Sequence, residues 1–239
     1  TLSNLERIRI DAQLGDAEAQ FDLSVQLALG IGVELDKEAA AFWRAESRRR
    51  GQRQAARDVK QSAATEFKLW KQLAEVGHAD AQYAVAQCYD EGLGIARDHV
   101  QAVFWWQKAA QQGHAKSQHN LAVSFANGDG VVKDEKQAVL WYCKAAGAGV
   151  ADAQLNLGAC LLQGCGVERN EEQGAMWMRK AAEFGDPTAQ FNCAHLLRQG
   201  RGISKDDKQA ATWLRKAADQ GNKKAQFNLG QCYNQGLGV

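Results

Sequence analysis

The chain has 239 residues, 45% of them hydrophobic, and its 29 lysines and arginines nearly cancel its 28 aspartates and glutamates, leaving a formal net charge of +1. That balance argues against a general nucleic-acid or membrane-surface binder, and no apolar run reaches the roughly 18 residues of a spanning helix. No signal-peptide pattern is visible, although the chain starts at Thr1 rather than Met, as a processed or trimmed form would.

Residues 1–15 are predicted to form an N-terminal helix closed by Gly15. A first repeat follows over 16–51, with AQFDLSVQLALGIGV from Ala19, a Gly30/Gly32 turn and Trp43 in its second half. Residues 52–77 depart from the pattern. Aligning Trp70 and Gly77 with Trp106 and Gly113 leaves this stretch ten residues short, without a G-x-G turn. It reads as a degenerate short repeat with a shorter connection, or as partly fused helices. The arginines Arg44, Arg48, Arg49, Arg50, Arg53 and Arg57 lie around it, as a solvated basic face or a site for an acidic partner.

From residue 78 the chain is regular. Four units, 78–113, 114–149, 150–185 and 186–221, precede a half unit over 222–239, and Gln82, Gln118, Gln154, Gln190 and Gln226 recur every 36 residues. Such a period marks a stacked repeat array. In the unit from His78, Ala81, Val85, Ala86 and Tyr89 are spaced for one helix face. The Gly92/Gly94 turn ends that helix, and Asp98 with Gln101 has the spacing of a capping box for a second. The pair returns as Asp134/Gln137, Asn170/Gln173 and Asp206/Gln209. The second helix carries Trp43, Trp105, Trp141, Trp177 and Trp213 in one column and Trp70 and Trp106 in the next. These rings are expected in the core, where burying a large side chain is worth roughly 1.5–3 kcal/mol. Two such helices cannot cover both their faces alone, so neighbours must stack, giving an all-α fold: a solenoid of antiparallel helix pairs, expected to be right-handed.

These columns resemble the Sel-one-like repeat, a relative of the tetratricopeptide repeat. Ala225, Leu229, Gly230, Tyr233, Gly236, Gly238 and Val239 fill the first half of its pattern, and Asp134, Ala138, Trp141, Lys144, Ala145, Ala146 and Gly149 the second. An ordinary tetratricopeptide array would show a spacing of about 34 residues without the G-x-G loop. The resemblance implies a scaffold for protein–protein contacts. It also brings an alternative, because some secreted cysteine-rich relatives are linked to β-lactam or cell-wall recognition: a small-molecule or cell-wall-fragment binder, or an enzyme.

Local signatures of chemistry are missing from the sequence. There is no Walker loop and no H-E-x-x-H, and the five histidines are scattered. No catalytic residue, metal ligand or cofactor is therefore assigned. The six cysteines do not repeat as a pair within the unit. Cys88, Cys160 and Cys232 share a column but stand 72 residues apart, two repeats away from one another. Free, mostly buried thiols are expected, which favours the cytoplasm over a periplasmic or secreted location.

Residues that the core leaves free carry function in such arrays. A helical wheel of the first helix puts a concave-side face one, five, eight and nine places after the glutamine. It includes Tyr83, Gln87, His119, Val123, Leu155, Phe191, His195, Arg198, Phe227 and Gln231, with Leu162 in its eighth-place column. Rings, aliphatics and amides on a solvated face suit a protein or peptide partner, with His119, Leu155, Phe191, His195 and Arg198 as central contacts. The same column could instead pack against the next repeat. The half unit should leave Leu229 and Tyr233 short of cover, so the natural chain is expected to continue there or to associate end to end. The reading is of a non-enzymatic adaptor, without nucleic-acid binding or membrane insertion.

Overall fold

The structure, a computed structural model, describes residues 4–14, 16–29, 39, 43 and 55–238. The Gly30/Gly32 turn and arginines 44 to 53 lie outside the described residues, as does the side chain of Arg57. The described residues form twelve helices and no strand. The chain divides into two compact units, Thr1–Leu69 and Trp70–Val239.

In the first unit α1 (Asn4–Leu14) packs on α2 (Ala17–Leu29) through buried Ala12, Ala19 and Leu23, with Ile8, Leu27 and Trp43 against them. Residues 55–75 form one uninterrupted 21-residue helix, α3 (Ala55–Glu75).

The second unit repeats a pair of 13-residue helices. The first helices are α4 (Ala79–Glu91), α6 (Ala115–Asn127), α8 (Ala151–Gln163), α10 (Pro187–Gln199) and α12 (Lys223–Gln235). The second helices are α5 (His99–Gln111), α7 (Glu135–Gly147), α9 (Glu171–Glu183) and α11 (Asp207–Asp219). Each packs on its neighbour in the chain, the arrangement of an all-α solenoid. The second helices start as the capping spacing predicts: Asp98, Asp134, Asn170 and Asp206 accept the N–H groups of Gln101, Gln137, Gln173 and Gln209 at 2.9–3.0 Å.

The two glycines of each turn have different tasks. Gly164 caps α8 with φ of 80°, donating to the Cys160 carbonyl, while Cys165 N–H returns to the same carbonyl at 3.1 Å. Gly166, with φ of 68°, lies so close to the backbone of Glu135, in the preceding repeat, that any Cβ would overlap the Glu135 carbonyl. Gly130, Gly202 and Gly238 meet His99, Glu171 and Asp207 in the same way. The second glycine is thus a contact between repeats as well as a turn.

The recurrent glutamine has a structural task too. Gln82, Gln118, Gln154 and Gln190 are buried, and their amides donate to the carbonyls of Ala74, Ala110, Ala146 and Ala182 at 3.1–3.3 Å. These carbonyls lie in the last turn of the preceding helix, where intrahelical partners run out. In the first unit Gln20 does the same for Ala12 at 2.9 Å.

The tryptophans divide. Trp70, Trp105 and Trp106 are buried, but Trp43, Trp141, Trp177 and Trp213 are only half-buried, so the expectation of a tryptophan core is corrected. In the second unit the buried column is one place further on: Trp106, Tyr142, Met178 and Leu214, each at most 5% exposed. Trp141, Trp177 and Trp213 sit at the rim. Lys108, Lys144, Lys180 and Lys216 cap this column, their Nζ atoms 4.1–4.9 Å from the centroids of the buried Trp105 and of Trp141, Trp177 and Trp213.

Candidate docking face

On α8, Ala153, Gln154, Leu157, Gly158, Leu161 and Leu162 are buried, spanning half the circumference. The other half is left to Asp152, Leu155, Asn156, Ala159 and Gln163. Leu162 belongs to the core, which removes it from the expected face; Arg198, its counterpart on α10, is half-buried.

Tyr83, Gln87, His119, Val123, Leu155 and Phe191 are half-buried, while His195, Phe227 and Gln231 are exposed. The column directly after the glutamine lies between repeats. Leu155 and Phe191 pack against the core with one edge. Tyr83 leans on His114 of the next repeat, ring centroids 4.7 Å apart, and the Asn120 side chain lies beside its hydroxyl. Burial raises the pKa of that hydroxyl, with the charge of Glu91 adding to the effect. His119 lies 5.9 Å from the Tyr142 ring, and its Nδ1 is buried without a partner among the described residues. Burial lowers the pKa of its imidazole, against the opposing pull of Asp152, and favours the neutral ring. His195 Nε2 accepts from the Gln199 amide at 3.1 Å.

A further column, absent from the expected face, lies on this side. Asn120, Asn156, Asn192 and Asn228, two places after the glutamine, are all half-buried on this same side. The signal was available: four identical polar residues at constant spacing with no core role. Where Asn120 has the Tyr83 hydroxyl beside it, the counterparts of Tyr83 two and three repeats further along, Leu155 and Phe191, offer Asn192 and Asn228 no polar atom. Asn156, Asn192 and Asn228 have no side-chain hydrogen bond among the described residues. They present both a donor and an acceptor, the complement of a peptide unit.

The face deepens between α10 and α12. Phe191, Phe227, Lys223, Lys224 and Asn228 line an open cleft of about 370 Å3. Phe191 is anchored against the core, and Phe227 is 68% exposed. No group of three or more His, Cys, Asp or Glu suited to a metal ion occurs among the described residues, and no helix among them is long and apolar enough to cross a membrane. The six cysteines are free thiols, but only Cys193 and Cys232 are buried, which corrects the expectation of mostly buried ones; burial raises the pKa of Cys160 and Cys193 to about 11.

The sequence pattern of the Sel1 repeat matches residues 17–43, 79–114, 115–150, 151–186, 187–222 and 223–239. No curated protein matches the chain. Among solved structures, a protective antigen present in uropathogenic Escherichia coli strains, displaying an SLR fold, is 31% identical over 98% of this chain with a TM-score of 0.73. The chain spans about half of that protein, 52% of its length. A Sel1 repeat protein from Oxalobacter formigenes is 29% identical, with 94% of this chain and 68% of that one covered and a TM-score of 0.68.

Proposed function

Because the chain belongs to the Sel1 repeat family, whose members are typically protein-interaction scaffolds, we propose that it is a non-enzymatic adaptor docking a protein or peptide on the outward face of α6, α8, α10 and α12. One observation carries this reading. Beyond the first turns and apart from Arg198, that face is built of rings, aliphatic groups and amides where a solvated helix normally carries charges. The uncommitted amides of Asn156, Asn192 and Asn228 can hold a peptide backbone, and the variable column of His119, Leu155 and Phe191 can read its side chains.

The test is a random peptide library displayed against the 239-residue chain, with Phe191→Ala and Asn192→Ala variants as counter-selection. Selected peptides should bind the parent chain and lose about tenfold or more in affinity on either variant, with helicity retained. Ligands indifferent to both substitutions would place docking elsewhere. End-to-end association is a second reading, for a different side of α12, where Tyr233 is 54% exposed while its counterpart Leu197 is 2% exposed. Sedimentation of the chain and of Tyr233→Ser should show a concentration-dependent dimer for the first alone.

A further inference from the structure

Building on that docking face, we propose that the cleft between α10 and α12 anchors a linear acidic peptide segment in which a bulky apolar side chain is flanked by carboxylates. Phe191 supplies a fixed apolar wall and Phe227 a second ring left largely to solvent. A leucine-sized or aromatic side chain fits between the two rings.

The lysines give the sign of the partner. Several other lysines of this unit are committed: Lys108, Lys144, Lys180 and Lys216 lie over tryptophan rings, and Lys133 and Lys205 pair with Glu135 and Asp207 at 3.1 and 3.5 Å. Lys116, Lys136 and Lys208 are unpaired among the described residues but lie outside the cleft. Lys223 and Lys224 stand at the rim of the cleft with no carboxylate partner among the described residues. Both occupy the first turn of α12, against the helix macrodipole, where α4 and α8 carry Asp80 and Asp152. Carboxylates from outside relieve that repulsion. Asn228 lines the same cleft, and its amide can pair with the peptide backbone to fix its direction. A nucleic acid fits less well, because upstream the variable column continues as Leu155 and His119 and offers no run of cations for successive phosphates.

The experiment measures fluorescence anisotropy of a labelled decapeptide, one leucine between two pairs of glutamates in a Ser/Gly background, against the 239-residue chain. Binding should be saturable and salt-sensitive, and should weaken about tenfold or more when the glutamates become glutamines or the leucine becomes serine. Lys223→Glu with Lys224→Glu should abolish binding while leaving the melting temperature unchanged or higher, since the new charges favour the helix. A merely structural role for these lysines predicts no such opposition. Equal affinity for the parent chain and the double variant overturns the proposal. So does loss of binding in Arg49→Glu/Arg53→Glu instead, or tighter binding of an oligothymidylate at the same cleft. If the decapeptide fails but library peptides still depend on Phe191, the docking face stands and the acidic partner falls. If no library peptide depends on Phe191, both fall.

Discussion

Replacing Phe184 by glutamine should stabilise the array. Gln82 Oε1 accepts from Gln112 Nε2 at 2.7 Å, and Gln190 Oε1 from Gln220 Nε2 at 2.9 Å, each donor 30 residues downstream. The corresponding donor for Gln154 would stand at position 184, but that residue is phenylalanine, and Gln154 Oε1 is buried without a partner among the described residues. The backbone is ready for the exchange. Phe184 caps α9 with φ −73° and ψ −6°, close to Gln112 (−83°, 2°) and Gln220 (−84°, 6°) at the ends of α5 and α11. The ring is 66% exposed, so little burial is lost. Supplying a partner to a buried acceptor is worth about 0.5–1.5 kcal/mol. About 1 kcal/mol raises the melting temperature of a chain this long by roughly 2–4 °C. Gln112→Ala should lower it by a similar amount. The assay is urea and thermal unfolding followed by circular dichroism. A Phe184→Gln chain that melts at or below the parent while Gln112→Ala loses stability would refute the reasoning, because the bridge would then do nothing for Gln154.

Further outcomes are expected. Gly164→Ala should cost about 1–2 kcal/mol for its left-handed backbone, and Gly166→Ala about 1–3 kcal/mol more, because its methyl group meets the Glu135 backbone; equal losses by chemical denaturation would remove the contact between repeats. Met178→Ala should cost about 2–5 kcal/mol, whereas Lys180→Ala, removing only the cap on Trp177, should cost about 0.5–1 kcal/mol; urea midpoints compare them. His119, with its pKa lowered by burial, contributes stability that is present above the ordinary value of 6.5 and lost as the pH falls below it; His119→Gln should flatten that acid-side loss in a pH series of melts. Cys160 and Cys193, raised from 9.0 to about 11, contribute stability that is present below pH 9 and lost as the pH rises towards 11; all six thiols should titrate after denaturation without reductant, and a count of four or fewer contradicts free cysteines.

The features legible in the sequence are those whose cause is local. Asp98 and Gly164 act within a few residues of themselves, so caps and turns could be read from spacing alone. The glutamine column could not, because Gln154 answers to the Ala146 carbonyl across a turn, and spacing says nothing of that partner. The tryptophan column was placed one position out because hydrophobicity does not separate core from rim; Trp177 is half-buried under Lys180 while Met178 takes the interior. The proposed docking face differs from the expected one for a related reason. With Gln154 and Leu162 buried, the covered arc of α8 rotates and leaves Asn156 outside, so the asparagine column is found only when the buried glutamine is known.

The close approach of Gly166 to Glu135 also bears on how such a chain changes length. The fit joins each loop to the helix start 31 residues before it, and Gly130, Gly202 and Gly238 keep the same offset to their partners. Duplicating or deleting one whole 36-residue cassette therefore recreates the same junction at the new seam. An insertion of another length between the two partners of a junction sets a side chain where only hydrogen fits. Growth by unequal recombination is tolerated in whole steps, and each added cassette extends the proposed docking face by one more asparagine and one more variable side chain.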